Sequence, residues 1–307
     1  MNIDSFVDKV SSKYDYDYRT INALKKIIPA LIEYYGNDYV DIIISAISDC
    51  EIIHCDSFNT ISSVIYENNL LDNYINFNDE VKRDDGIYIS KPVISYDNFF
   101  NKYEIDNVIR KIIVSHTYNF DSPKGLEVLT YQLCSLIKSY YKEYEIEDNI
   151  LHKRCGLSNS KSLISKSDKI SFADKREFGN SLENGMNIYD TEKIVSLILK
   201  DNYKCYHYDS ISTIAMILKG KFGLKDIVNR AEIINDISPL KKISSDEDYS
   251  LLNALADRCY DIEEEMLVYS MTRDKKDELS KQLSLLLSGE VYNCLIKFGY
   301  YNYKKRT

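Results

Sequence analysis

The stretch that most constrains this chain runs from Val108 to about Tyr144. Val108–Ser115 reads Val-Ile-Arg-Lys-Ile-Ile-Val-Ser, a mostly apolar run that predicts an internal strand. After a short loop, Ser122 is a good helix N-cap and Pro123 stands at the first helical position, where its missing N–H costs nothing. Leu126, Leu129, Leu133 and Ile137 then recur at spacings of 3, 4 and 4, giving one apolar stripe. An internal strand followed by an amphipathic helix predicts a sheet packed on that helix.

The flanking segments differ in character. Residues 1–50 predict helices: Ile21–Tyr35, capped by Thr20, kinked or split at Pro29 and ended by Gly36, then Tyr39–Ser48. Glu51–Cys55 predicts a short strand, and Thr60–Glu67 a helix. Gly86–Ser90 and Pro92–Ser95 predict two strands around a turn. Residues 145–180 are polar and rich in Ser and Lys, fit for a hairpin or a loop. Asp190 is the expected cap of a helix over Thr191–Lys200. Beyond 200 the pattern is helical. Helices are expected over Ser210–Lys219, capped by Asp209 and ended by Gly220, and over Leu224–Ile234. A capping box of Ser244 and Glu247 is expected to open a long helix with the stripe Leu251, Leu255, Cys259, Ile262 and Met266. A last helix runs from Asp274 to Gly289. The acidic run Asp261–Glu265 reads as a solvated helix face.

Composition narrows the function classes. At 307 residues the chain has room for two domains at roughly 150 residues each. Asp and Glu outnumber Lys and Arg by 48 to 39, a net charge of −9, which argues against phosphate neutralisation and so against a nucleic-acid partner. The 27 Tyr, with Lys outnumbering Arg by 30 to 9, read as the imprint of AT-rich codons. Seven cysteines without Cys-x-x-Cys spacing suit neither a disulfide framework nor a zinc ribbon, and read as free thiols in a reducing cytoplasm. The acidic N-terminus lacks a signal pattern. The longest apolar runs, such as Ile42–Ile47, are too short to span a bilayer, so no membrane partner is expected.

Two segments carry a resemblance. Tyr131-Gln132-Leu133-Cys134-Ser135, set between apolar residues on the Pro-started helix, resembles the His-Glu-x-x-His helix of gluzincin-type zinc metallopeptidases. Ser181-Leu182-Glu183-Asn184-Gly185-Met186-Asn187 resembles the segment that carries the glutamate ligand of that family. The resemblance puts Tyr131 and Ser135 at the histidine positions and Gln132 at the general base. Asn184, or Glu183 one residue earlier, takes the third-ligand position. A catalytic zinc needs three protein ligands and an open water site. A tyrosine phenol, with a reference pKa of about 10, is scarcely ionised at neutral pH. Ser135 is a weaker ligand still, Gln132 cannot accept a proton, and Asn184 lacks the carboxylate charge.

These readings lead to a helix-rich α+β fold in three stretches. Residues 1–50 form a helical N-terminal segment, 51–200 a metallopeptidase-like domain with a small sheet on its helix, and 201–307 a helical C-terminal domain. The expected function is that of a pseudoenzyme, a catalytically inactive metallopeptidase-like protein that binds a peptide or protein partner, with no metal and no cofactor. By resemblance, an edge strand over Gly86, Ile87, Tyr88, Ile89 and Ser90 pairs with the partner, and Tyr131, Gln132, Ser135, Glu183 and Asn184 line the groove floor. The alternatives are an active hydrolase with unconventional ligands, such as Cys134, His116 or Glu183, and an interaction protein unrelated to peptidases.

Overall fold

The computed structural model describes residues 2–56, 60–68, 70, 85–99, 102–164, 170–171, 179–205, 208–268 and 271–306. The fold is helix-rich α+β with a small three-stranded sheet. The chain divides into two compact units. The first holds residues 1–154, 160–175 and 190–204; the second holds 155–159, 176–189 and 205–307. Residues 1–50 and most of 51–200, expected as separate stretches, thus fall in one unit.

In the first unit three helices come first: α1 (Ile3–Tyr14), α2 (Tyr18–Tyr35) and α3 (Val40–Ser48). Helix α2 begins three residues before the expected start, because Asp17 and not Thr20 is the cap; the Asp17 carboxylate accepts the Thr20 N–H at 2.8 Å. It also runs unbroken through Pro29. Strand β1 (Cys50–His54) and helix α4 (Ile61–Glu67) follow, the latter opened by a Thr60–Ser63 capping box.

Strands β2 (Gly86–Asp97) and β3 (Lys102–Val114) make a long antiparallel pair. The sheet order is β1-β3-β2, so among the described strands the apolar run is the central strand as predicted and β2 is an edge. β1 pairs with β3 only over Arg110–Val114, so the rest of the β2–β3 pair continues as a two-stranded ribbon. The turn expected at Lys91–Pro92 does not form. The Ser115 N–H donates to the Asp85 carbonyl, which makes 85/115 a hydrogen-bonded pair. Ladder alternation then turns the backbone groups of Gly86, Tyr88, Ser90 and Pro92 outward. Pro92 therefore lacks an N–H only where the ladder needs none, and the strand passes through it.

Helix α5 (Pro123–Tyr140) starts at the expected cap, with the Ser122 hydroxyl accepting the Gly125 N–H at 3.0 Å. It ends at Tyr140, because Tyr144 already opens strand β4 (Tyr144–Glu147). The single apolar stripe understates its burial. From Gly125 to Ser139 every residue except Tyr131 is buried. The unit's core joins Leu24, Ile27 and Leu31 of α2, Ile43 and Ile47 of α3, Ile112 and Ile113 of β3, and Leu129, Leu133 and Ile137 of α5. Strands β5 (Ile150–Cys155), β6 (Ser158–Ile164) and β7 (Ile170–Ser171) complete a second sheet in the order β4-β5-β6-β7.

Helix α6 (Asn180–Leu199) contributes to both units. Asp190 lies inside it rather than capping it. The Asp190 carboxylate meets Lys138 Nζ at 2.8 Å with both side chains fully buried, and accepts the Tyr34 and Tyr35 hydroxyls at 2.5 and 3.2 Å. A buried lysine needs such a counter-charge, and removing either partner leaves an uncompensated charge.

The second unit is helical: α7 (Asp209–Ala215), a π-helical turn over Met216–Lys221, α8 (Lys225–Ile234), α9 (Ser238–Lys241), α10 (Asp246–Met266), α11 (Arg273–Leu286), a π-helical turn over Leu287–Val291, and α12 (Tyr292–Arg306). Gly220 and Gly289 thus sit within turns that continue the chain's winding. The cap of α10 is Ser245 with Asp248, one residue after the expected box, and the buried face is Leu252, Leu255, Ala256 and Cys259. The acidic run is not wholly a solvated face. Glu263 accepts the Ser210 N–H at 3.0 Å and the Ser210 hydroxyl, so it caps α7 from another helix, and Glu264 accepts the Tyr208 hydroxyl. Burial pushes the Glu263 carboxyl up.

Candidate functional site

The helix positions of the resemblance are occupied by side chains with internal tasks. Gln132 is buried, and its Nε2 donates to the Gly86 carbonyl at 2.9 Å. Ser135 is buried and its hydroxyl donates back to the Tyr131 carbonyl at 3.3 Å. Tyr131 alone on this stretch of α5 is partly exposed. Of the unconventional ligands, Cys134 is fully buried, and burial pushes its thiol up to about 12, far from the thiolate that binds metal. His116 lies exposed in the loop after β3.

The second segment lies on the first half of α6, in the other unit. Glu183 is buried, and its carboxylate accepts the Leu157 N–H at 2.7 Å. It fills the β5–β6 turn so closely that a Cβ on Gly156, at φ +57°, would stand 2.1 Å from it. Gly156 is glycine because the backbone is left-handed there and the carboxylate leaves no room. Glu183 is thus turned to this hairpin turn, and Asn184, the next residue, is half-buried. Among the described residues no group of three His, Cys, Asp or Glu side chains is arranged to hold a metal ion.

Strand residues Gly86–Ser90 are at a sheet edge, as expected, but Gly86, Ile89 and Ser90 are buried and both faces are packed. Ile89 belongs to a buried cluster with Cys55, Ile61, Val64, Ile65, Leu70 and Ile113, and Ile87 packs against it. On the other face the Tyr88 hydroxyl donates to Glu143 Oε1 at 2.8 Å, and Arg110 Nε bonds Glu143 Oε2 at 2.8 Å. Burial, then the Glu143 charge, pushes the Tyr88 phenol well up. Two of the three outward carbonyls are taken as well: Gln132 holds that of Gly86, and the Tyr144 hydroxyl donates to that of Ser90 at 2.9 Å. A Cβ at Gly86 would meet Val128 Cγ1 at 2.9 Å. The expected groove floor and its strand are therefore packing partners of each other, with Gln132 and Gly86 the pair brought together.

The distal half of the same strand differs. Val93 and Tyr96 are 39% and 38% exposed, and Phe99 just beyond the strand is 87% exposed. On β3, Ile109 is also exposed. The register between Val93 and Ile94 shifts because β3 carries one extra residue, Asp106, opposite them; the Ser95 hydroxyl donates to its carboxylate at 2.9 Å. Since the bulge is on β3, the alternation of β2 runs on and turns the backbone groups of Ile94 outward. Sequence reasoning gives Pro92–Ser95 as a strand but, reading a turn at Lys91–Pro92, does not join it to Gly86–Ser90; the alternation of Val93, Ser95 and Asp97 with Pro92, Ile94 and Tyr96 is the available signal.

Neither of two surface depressions adjoins these residues. One, of about 320 Å³, is lined by Ile3, Pro29, Ile32, Glu33, Gly36 and Asn37; the other, of about 530 Å³, by Glu145, Ile146, Glu147 and His152. No described helix is long and apolar enough to cross a membrane. No family model, no curated protein and no solved structure matches the chain.

Proposed function

We propose that this chain is a non-catalytic binding protein, metallopeptidase-like in the order of its central segments, that takes an extended peptide or protein segment along the outer edge of β2. One observation carries the reading: among the described strands β2 is the edge of its sheet, and from Lys91 to Asp97 it runs on as part of a ribbon in which Pro92 is buried and Val93 and Tyr96 are exposed. An edge strand binds an added strand through main-chain hydrogen bonds, and the side chains on alternate positions select it. The docking stretch is Lys91–Asp97 rather than Gly86–Ser90, where the outward carbonyls at both ends, Gly86 and Ser90, already have donors.

The non-catalytic part rests on the chemistry of the helix. The residue at the base position is an amide that donates a hydrogen bond, and the residue at the second ligand position is a serine bonded to its own helix. Neither supplies a proton acceptor or a charged ligand.

The test is selection of extended peptides on the full chain, followed by amide hydrogen exchange with the peptides recovered. Peptides of alternating polarity should slow exchange over Lys91–Asp97 and should fail to bind Ile94→Pro. Protection confined to other segments, or equal binding by Ile94→Pro, would overturn the docking site. Stoichiometric zinc in purified, tag-free chain, lost on Tyr131→Phe, would overturn the non-catalytic reading.

A further inference from the structure

We infer that the chain cross-links itself: Lys138 Nζ and the Asp190 carboxyl condense to an amide that ties α5 to α6. The inference goes beyond strand binding and stands or falls separately from it.

The pair is placed for this reaction. Lys138 Nζ lies 2.8 Å from Asp190 Oδ2 with both side chains fully buried, and Cγ, the atom to be attacked, is one bond beyond that oxygen. Groups held this close react as an effectively unimolecular pair. The Lys25–Asp8 pair of the same unit stands at 2.9 Å but is open to water, which keeps its ammonium charged. Out of water the charged forms lose their hydration, and transfer of one proton from nitrogen to oxygen leaves a neutral amine beside a neutral acid. Closing the amide removes the buried charges altogether.

Asp190 also carries the donors that acyl transfer needs. Tyr34 and Tyr35, consecutive on α2, donate to its two oxygens, Tyr34 to Oδ1 at 2.5 Å and Tyr35 to Oδ2 at 3.2 Å. Both phenols are buried, with their rings edge to face and centroids 5.1 Å apart. As Nζ attacks, the Nζ–Cγ bond forms and the carbonyl pair moves onto Oδ1, where the Tyr34 hydroxyl meets the growing negative charge. As that pair returns, the Cγ–Oδ2 bond breaks. Tyr35 is placed to pass a proton from the nitrogen to Oδ2. Of the three ammonium protons one stays on nitrogen and two leave with Oδ2 as water. The two charges cancel, and no oxidant or further reactant enters. Exclusion of water from the core then protects the amide from hydrolysis.

The bond braces the scaffold behind β2, because α5 also carries Gln132, the residue that holds the Gly86 carbonyl.

The experiment is mass spectrometry of the full chain, as purified and after prolonged incubation at neutral pH. The incubated wild-type chain should be lighter than its sequence by one water, and digestion should release a branched peptide joining Lys138 to Asp190. Lys138→Arg keeps a cation for Asp190 but offers a guanidinium that stays protonated, so it should remain at full mass. Tyr34→Phe should close about a hundredfold more slowly, read as the full-mass fraction against time. A wild-type chain that unfolds cooperatively in urea, and so is folded, yet keeps its full mass throughout overturns the inference. So does a water loss that persists in Lys138→Arg or maps elsewhere, the fully buried Lys219–Glu232 pair at 2.6 Å included. Closure of Tyr34→Phe at the wild-type rate overturns the part given to the phenols.

Discussion

The two halves of β2 obey the same ladder and the same alternation, yet they face different surroundings. From Gly86 to Ser90 both faces are packed, by the α4 cluster and by Tyr88 with Glu143, and Gln132 and Tyr144 hold the outward carbonyls at the two ends. From Lys91 to Asp97 the strand has β3 on one side and exposed Val93 and Tyr96 among its side chains. The difference lies in what covers the strand, not in the strand. An edge buried in the protein must have its polar groups met, and an edge at the surface keeps the capacity to add a strand.

Proline substitution separates the halves most sharply. Ile89 is in a hydrogen-bonded ladder pair with Lys111 and in the buried cluster. Ile89→Pro removes a ladder hydrogen bond and a buried side chain together, at a cost of roughly 4–5 kcal/mol. Against a typical total of about 5–15 kcal/mol, that leaves little of the fold. Urea denaturation should show the midpoint collapse, and a near-native midpoint would break the account of the proximal half.

Gln132→Glu comes next, and it sharpens the comparison with a peptidase helix, because it puts glutamate at the position where that motif carries one. Here it should damage the fold. The introduced carboxylate, once ionised, cannot donate to the Gly86 carbonyl and would be a buried, unpaired charge, costing about 3 kcal/mol at neutral pH. Its pKa in the folded chain is then held above the unfolded value of about 4.3. The sign follows: below the unfolded value the neutral acid donates in place of the amide and stability is retained, and it is lost as pH rises through the folded value. Denaturation of variant and wild type between pH 4 and 8 measures this directly. Parallel curves would mean that the Gln132–Gly86 bond contributes nothing.

That helix also marks where the sequence is legible and where it is not. Ser122 and Pro123 set the start of α5, because caps act within one turn, and Val108–Ser115 reads as internal because both its faces are apolar. The polar residues of α5 read as a solvated flank, yet Lys138 is fully buried against Asp190. Nothing local distinguishes a lysine that meets water from one that meets a carboxylate 52 residues later. Asp190 misleads for the same reason, since an aspartate ahead of a helical stretch is a cap unless the helix has already begun. Glu183 and Glu263 follow suit: the first seats a hairpin turn, and the second caps α7 from another helix. At Gln132, Ser135 and Glu183 the resemblance supplies positions, and contacts elsewhere in the chain assign their work.

The smallest effect on stability is expected from Ile94→Pro, and it is the most informative about the distal half. Ile94 turns its N–H outward, as Pro92 turns its own ring nitrogen two residues earlier, so proline there removes no bond of the β2–β3 ladder. The side chain is only partly buried. The loss should stay within about 1 kcal/mol, against the several expected at Ile89. The same substitution deletes the donor that an added strand needs at its centre, so strand binding should vanish while the denaturation midpoint barely moves. A large loss of stability would mean that the backbone of Ile94 already serves the fold, and the two halves of β2 would then be alike. Intact stability with intact binding would instead place the added strand away from Ile94 and detach the exposed ribbon from the function.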